Sequence, residues 1–298
     1  MSNIVLEKSI YPFEHNYIHI NDLRYHYIDE GTGNPVIMVH GNPSWSIYYR
    51  NLVNELKDTH RCIVPDHIGC GFSDKPDDNE YKYTLESRIN DLEKLVLKLK
   101  IDKPITLVVH DWGGYIGMGF ATRHPDKIAR IVILNTGAFH FPEGKKIPPI
   151  LKFARESSLG TFLIRGFNMF AVSASFVGCK RKVMPAEIRK AYCSPYNSWK
   201  NRIATSRFVQ DIPMVPEDPS YNTFTELEQN LNKLQDKKIL ICWGEKDFVF
   251  DKHYLNKWIK VFPNAEVKRY PDCGHYVLED AGTEIIDYIK SFLERNPI

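Results

Sequence analysis

An α/β fold, with a mostly parallel eight-stranded sheet, helices on both faces and a helical insertion, is what this sequence predicts. Three observations predict it. Short apolar runs alternate with helical windows along most of the chain. Most of the runs are continuous rather than alternating, the pattern of strands buried on both faces. The rhythm breaks once, between Gly137 and about Leu234, where no strand pattern appears.

Taken in order, the chain opens with an antiparallel hairpin, Tyr17–Ile20 and Leu23–Asp29. Leu23, Tyr25, Tyr27 and Asp29 share one of its faces before a glycine turn. PVIMVHG (35–41) is the first buried parallel strand. RCIVPD (61–66), ITLVVHD (105–111), IARIVILNT (128–136), KILICWG (238–244) and Val267–Tyr270 repeat its character. Between strands, TLESRINDLEKLVLKLK sets Leu85, Ile89, Leu92, Leu95, Val96 and Leu99 on one helical stripe. Thr84 is its N-cap, with Ser87 where a capping box would carry Glu. The last helix covers Ile285–Leu293. In the insertion, Phe153, Phe162, Phe167, Met169, Phe170 and Phe176 stand at irregular helical spacing, punctuated by prolines. The expected division is a main domain, 1–136 and 235–298, and a helical cap, 137–234.

Composition narrows the function. The 39 basic and 37 acidic side chains nearly balance, which argues against a nucleic-acid partner. No uncharged apolar run reaches the ~18 residues of a membrane helix. MSNIVLEKSIYPFEHNY has no apolar leader region, so a cytoplasmic location is expected. The six cysteines lack CxxC or zinc spacing and read as reduced thiols. No phosphate-cradling motif is present, and neither a metal nor a cofactor is expected.

Three spots carry chemistry, each just after a strand, where open α/β sheets gather ligands. VVHDWGG (108–114) has the form of a nucleophile elbow, with Asp111 where serine hydrolases place Ser. Position 109 is Val rather than the usual Gly, while Gly113 and Gly114 keep the turn tight. Alone, Asp111 could equally cap a helix over Tyr115–Arg123. VHGNPSW (39–45) stands where α/β-hydrolases build an oxyanion hole, and the Asn42 amide can donate to a developing anion. Asp247 and His275 each follow a late strand. The order Asp111, Asp247, His275 is the nucleophile–acid–base order of an α/β-hydrolase triad. Asp66 with GCGFSDKP (69–76) reads as a tight loop, and His40 and His110 as residues flanking the site.

HGNPSW, HDWGG, GEKDFVF and GHYVLED together resemble the haloalkane dehalogenase branch of the α/β-hydrolases, over about residues 15–136 and 238–294. The resemblance implies that Asp111 is the nucleophile and that Asn42 and Trp112 hold the leaving anion. It also implies that Asp247 is the acid, since Asn135–Phe141 offers no carboxylate after the sixth strand. PDHIGCGFSDKPDD (65–78), NRIATSRFVQDIPMVPEDP (201–219) and GEKDFVFD (244–251) resemble, more narrowly, the β-lactone decarboxylases of bacterial long-chain olefin biosynthesis.

An aspartate nucleophile needs no deprotonation at neutral pH and can displace a leaving group from an sp³ carbon. Two reactions follow from the resemblance: decarboxylation of a cis-β-lactone to a cis-olefin, or hydrolysis of a carbon–halogen bond. The aromatic-rich insertion suits a small apolar substrate, long-chain ones included, unless those rings are only its own core. Assembly with other olefin-pathway enzymes is a partnership the narrower resemblance raises. Tyr192 and Tyr196 keep an epoxide hydrolase in view, because paired tyrosines in the insertion serve that chemistry. A catalytically inactive binding protein would normally have lost a triad member, and none is missing here.

Overall fold

The computed structural model describes residue 4 and residues 6–298; part of the leading segment read above, residues 1–3 and 5, lies outside the described residues. Eight strands form one sheet: β1 (Asn16–Ile20), β2 (Leu23–Glu30), β3 (Asn34–Val39), β4 (His60–Pro65), β5 (Ile105–Asp111), β6 (Ile128–Thr136), β7 (Lys238–Gly244) and β8 (Glu266–Tyr270). Their order across the sheet is β1-β2-β4-β3-β5-β6-β7-β8. β2 runs antiparallel to both neighbours, and every other pairing is parallel.

The continuous apolar runs are explained by two cores, one on each face. Successive strand residues point to opposite sides. Leu107 and Val109 of β5 therefore join Ile37, Val39, Ile131 and Ile133 in one core. Val108 joins Val36, Met38, Val132 and Leu134 in the other. The first core is closed by α2 (Leu85–Lys98) and α3 (Trp112–Arg123), through Leu92 and Ile116. The second is closed by α1 (Arg50–Leu56) and, at the chain end, the last helix, through Leu52 and Ile289. Thr84 caps α2 as expected, its hydroxyl accepting the Ser87 amide at 3.3 Å.

Six helices lie between β6 and β7: α4 (Pro149–Glu156), α5 (Ser158–Phe167), α6 (Met169–Val177), α7 (Ala186–Cys193), α8 (Ile203–Gln210) and α9 (Tyr221–Asn230). The chain closes with α10 (Lys252–Val261), α11 (Val277–Asp280) and α12 (Gly282–Arg295). Among the described residues no single helix is long and apolar enough to cross a membrane.

The hairpin departs from its expected one-sided pattern. Tyr25, His26, Tyr27 and Ile28 are all buried, so both faces of β2 are covered. The segment after β4 folds over the second face and does more than turn. Asp66 accepts from His26 Nδ1 at 2.8 Å and from the amides of Ser46 (2.7 Å) and Phe72 (2.9 Å). Burial works against its ionisation, but the His26 and His40 rings and these donors outweigh that and hold its pKa well below the ordinary range. Asp66 thus ties the antiparallel edge to the loop carrying Ser46, four residues beyond Asn42.

Candidate active site

Asp111 is the last residue of β5, and the backbone reverses there at φ 53° and ψ −128°. A non-glycine residue in this region stores about 1–3 kcal/mol of strain. The turn closes because Gly41 and Gly113 carry no side chain. A Cβ on Gly41 would overlap the Asp111 carboxylate, and one on Gly113 would overlap the Val39 carbonyl. The Thr136 hydroxyl donates to the Asp111 carbonyl and fixes the reversal from β6. Asp111 precedes α3 without a side-chain N-cap hydrogen bond, so the helix-cap reading fails. Its carboxylate turns instead toward Asn42, whose backbone N–H donates to Oδ1 at 2.5 Å. Burial raises the Asp111 pKa above its ordinary 3.8, opposed by His275 and by the amides of Asn42 and Trp112.

The structure brings Asp247 and His275 to the same carboxylate. His275 Nδ1 lies 2.8 Å from Asp247 Oδ2, and Nε2 lies 3.6 Å from Asp111 Oδ2. Asp247 accepts from Nδ1, and Nε2 faces Asp111. Burial pulls the His275 pKa down, but Asp247 and then Asp111 overcome it and raise the pKa above 6.5. Asp247 is held by the amides of Val249 (2.8 Å) and Phe250 (3.1 Å).

One residue passed over in the sequence completes this arrangement. Asn135, at the end of β6, donates to Asp247 Oδ2 at 3.1 Å and clamps Gly244 through its N–H (2.7 Å) and carbonyl (2.9 Å). Its backbone φ is positive, at 29°. A polar side chain closing the apolar run of β6 is the sequence signal that marks it. His40 and His110 flank the site as expected. His110 Nε2 meets the His275 carbonyl at 2.9 Å, and His40 Nδ1 meets the Gly41 carbonyl at 2.7 Å. Burial lowers the pKa of both, so they act as neutral struts.

Asn42 and Trp112 face the same cavity as Asp111 and His275, which has a volume of ≈ 350 Å³. Asn42 Nδ2 donates one hydrogen to the Thr205 carbonyl on α8, at 3.1 Å. A primary amide has a second N–H, which leaves one donor for an anion. The Trp112 ring packs 5.3 Å from Phe208, also on α8. Its indole N–H is not hydrogen-bonded among the described residues. Ile150, Phe170, Val177 and Val209 of the inserted helices complete an apolar wall over the strand ends.

Two expectations about the insertion change. Of its spaced aromatics only Phe170 lines the cavity; Phe153, Phe162, Phe167 and Phe176 are exposed, so they are neither a substrate wall nor a core. Tyr192 and Tyr196 are buried elsewhere. Tyr192 donates to Glu279 at 2.6 Å and Tyr196 to the Ser44 carbonyl at 3.3 Å, and neither lines the cavity. The tyrosine pair that an epoxide hydrolase would aim at its substrate is therefore not aimed there.

Residues 34–282 match the family described as alpha/beta hydrolase fold. The chain is similar to a protein of Shewanella oneidensis named cis-3-alkyl-4-alkyloxetan-2-one decarboxylase, 57% identical over 96% of this chain and 90% of that one. A protein of the same name from Xanthomonas campestris is 48% identical over 91% of this chain and 93% of its own. In fold, the chain resembles the crystal structure of the haloalkane dehalogenase DatA from Agrobacterium tumefaciens. The TM-score is 0.84 at 23% identity, covering 95% of this chain and 97% of that one.

Proposed function

Since the chain belongs to the α/β-hydrolase fold family, we propose that it is an enzyme that decarboxylates a cis-β-lactone to a cis-olefin and carbon dioxide through an ester on Asp111. The carrying observation is the 57% identity, along nearly the whole chain, to a protein named for that lactone class, an oxetan-2-one with alkyl groups at positions 3 and 4. Residues 137–234 act as the cap and the two flanking segments as the main domain.

The chemistry needs only what the site offers. An Asp111 oxygen attacks the ring carbon that bears the lactone oxygen. The C–O bond breaks, and the ring oxygen leaves as part of a free carboxylate. The second Asn42 N–H and the Trp112 indole N–H stabilise that carboxylate as its charge develops. The bond to the carboxyl carbon then breaks, its electron pair forms the double bond, and Asp111 departs with the electrons of the ester bond. No water or external proton enters. Inversion in the first step and anti elimination in the second carry a cis lactone to a cis olefin. Attack at the lactone carbonyl, giving an anhydride, also balances; it places the acyl carbon rather than the alkyl carbon on Asp111. His275, with its raised pKa, supplies positive charge between two carboxylates, and Asp247 with Asn135 orients its ring.

The apolar cavity wall favours two alkyl arms. Ile150, Val177 and Phe248 both line the cavity and are exposed, which leaves an outlet for a long chain. The test is incubation of the purified protein with a cis-β-lactone and, separately, with 1-bromoalkanes. Alkene and carbon dioxide from the lactone support the proposal. Bromide release without alkene from the lactone would assign the chain to hydrolytic dehalogenation instead.

A further inference from the structure

Helices α4–α6 turn large apolar side chains outward. Phe153 on α4, Phe162 and Phe167 on α5, and Met169, Phe176 and Val177 on α6 are all exposed. Part of this surface is a continuous aromatic cluster. The Phe162 ring lies 5.6 Å from Phe167 and 6.1 Å from Trp199, itself exposed. Contiguous exposed apolar surface of this kind marks a docking site.

The same stretch is strongly basic. Residues 144–207 hold thirteen Lys or Arg against two Asp or Glu, and four of the cations, Lys145, Arg155, Arg181 and Arg207, pair with carboxylates outside the stretch. Lys146, Lys152, Lys180, Lys182, Lys190 and Lys200 are exposed and form no ion pair among the described residues. Two guanidinium groups sit on the apolar surface itself: Arg165 is 4.7 Å from the Trp199 ring centre and Arg189 is 4.4 Å from that of Phe176. Exposed aromatics interleaved with unpaired cations match the chemistry of an anionic lipid surface.

The helix geometry sets the mode of contact. α5 and α6 together are apolar enough for a membrane span but meet at a bend of 78°. Ten and nine residues make helices of about 15 Å each, half the ~30 Å hydrocarbon core. Such a pair lies on a bilayer rather than crossing it. A second copy is a poor occupant, since a symmetric contact would press two of these basic faces together.

We infer that the outer face of α4–α6 is a docking surface that seats on an anionic phospholipid bilayer, with the cavity mouth at Ile150, Val177 and Phe248 opening beside the lipid. This holds whatever reaction the cavity performs, and its test uses no substrate. The purified full-length protein is floated with phosphatidylcholine vesicles and with vesicles containing about 30% phosphatidylglycerol, at low and high salt. Brominated lipid supplies a second readout. Four of the five tryptophans are buried, so quenching reports Trp199.

The expected result is flotation with the anionic vesicles, weakened by salt, with quenched tryptophan emission. Each lysine near an anionic surface is worth roughly fivefold in partitioning, so Lys152→Glu with Lys182→Glu should weaken binding at least about 25-fold. Phe162→Ser with Phe167→Ser should weaken it by about tenfold or more. These four side chains are exposed, so circular dichroism and thermal melting should stay native. Trp199→Phe should keep binding and lose the quenching. Failure of the native protein to float, or equal flotation on neutral and anionic vesicles, overturns the inference. So does a native dimer that dissociates in the double-serine variant, which would give the face to a second copy.

Discussion

Replacing His275 by Ala is expected to shift the acid limb of olefin formation upward rather than abolish the reaction. In the proposed reaction Asp111 attacks as a carboxylate, and burial already raises its pKa above 3.8. The charged imidazole at 3.6 Å opposes that rise. Two unit charges at this separation interact by about 5 kcal/mol at an effective dielectric of ~20. This is an upper limit, because Asp247 shares the same charge at 2.8 Å. Losing it should therefore move the Asp111 ionisation to higher pH. The assay is alkene release from a cis-β-lactone across pH, for wild type and variant, with ¹⁸O-water present and Asp111 analysed by mass spectrometry. At alkaline pH the variant should recover to within about 100-fold of wild type, with no ¹⁸O in Asp111. A loss beyond about 10⁴-fold at every pH, or ¹⁸O accumulating in Asp111 with turnover, would refute the reasoning and make His275 a water base.

Asp111→Ala should reduce alkene formation by orders of magnitude while the melting temperature holds or rises, since a buried carboxylate is removed and the backbone turn stays. Native-like activity in that variant would end the nucleophile assignment. Asn42→Ala and Trp112→Phe should each lower kcat by roughly 10²-fold, the scale of one lost anion donor; unchanged kcat in both would remove them from that role. Asn135→Ala leaves Gly244 unpaired and Asp247 short of a donor, so denaturant melts should show a loss of about 2–4 kcal/mol. Burial raises the Asp91 pKa to about 6. Its ionisation therefore costs stability, growing from about pH 4 and complete above about 6. Asp91→Asn should raise the melting temperature at pH 7 but not at pH 4; an equal effect at both would exclude the ionisation as the cause.

The central strands were legible because burial on both faces favours continuous apolar runs, as in Val36–Val39. Their ends were less so. The third strand stops at Val39 rather than at residue 41, because His40 and Gly41 leave the sheet to pass beside Asp111. Asp111, Asp247 and His275 could be found from order alone, since each follows a strand whose end the sheet brings to one edge. Asn135 could not, because an asparagine after an apolar run reads as a turn residue and its partner lies 112 positions away. The outward Phe176 escaped for a different reason. α6 is apolar on most sides, with Phe170 turned to the cavity and Phe176 to the exterior, so no stripe marks an inner face.

One short helix links two parts of the machine. α8 holds Asn42 through the Thr205 carbonyl and packs Phe208 against the Trp112 ring, while its Val209 forms part of the cavity wall. One helix therefore both steadies the amide and the indole proposed to hold the anion and walls the chamber, so a substitution at Val209 made to widen the chamber would disturb contacts made one and four residues away on the same helix.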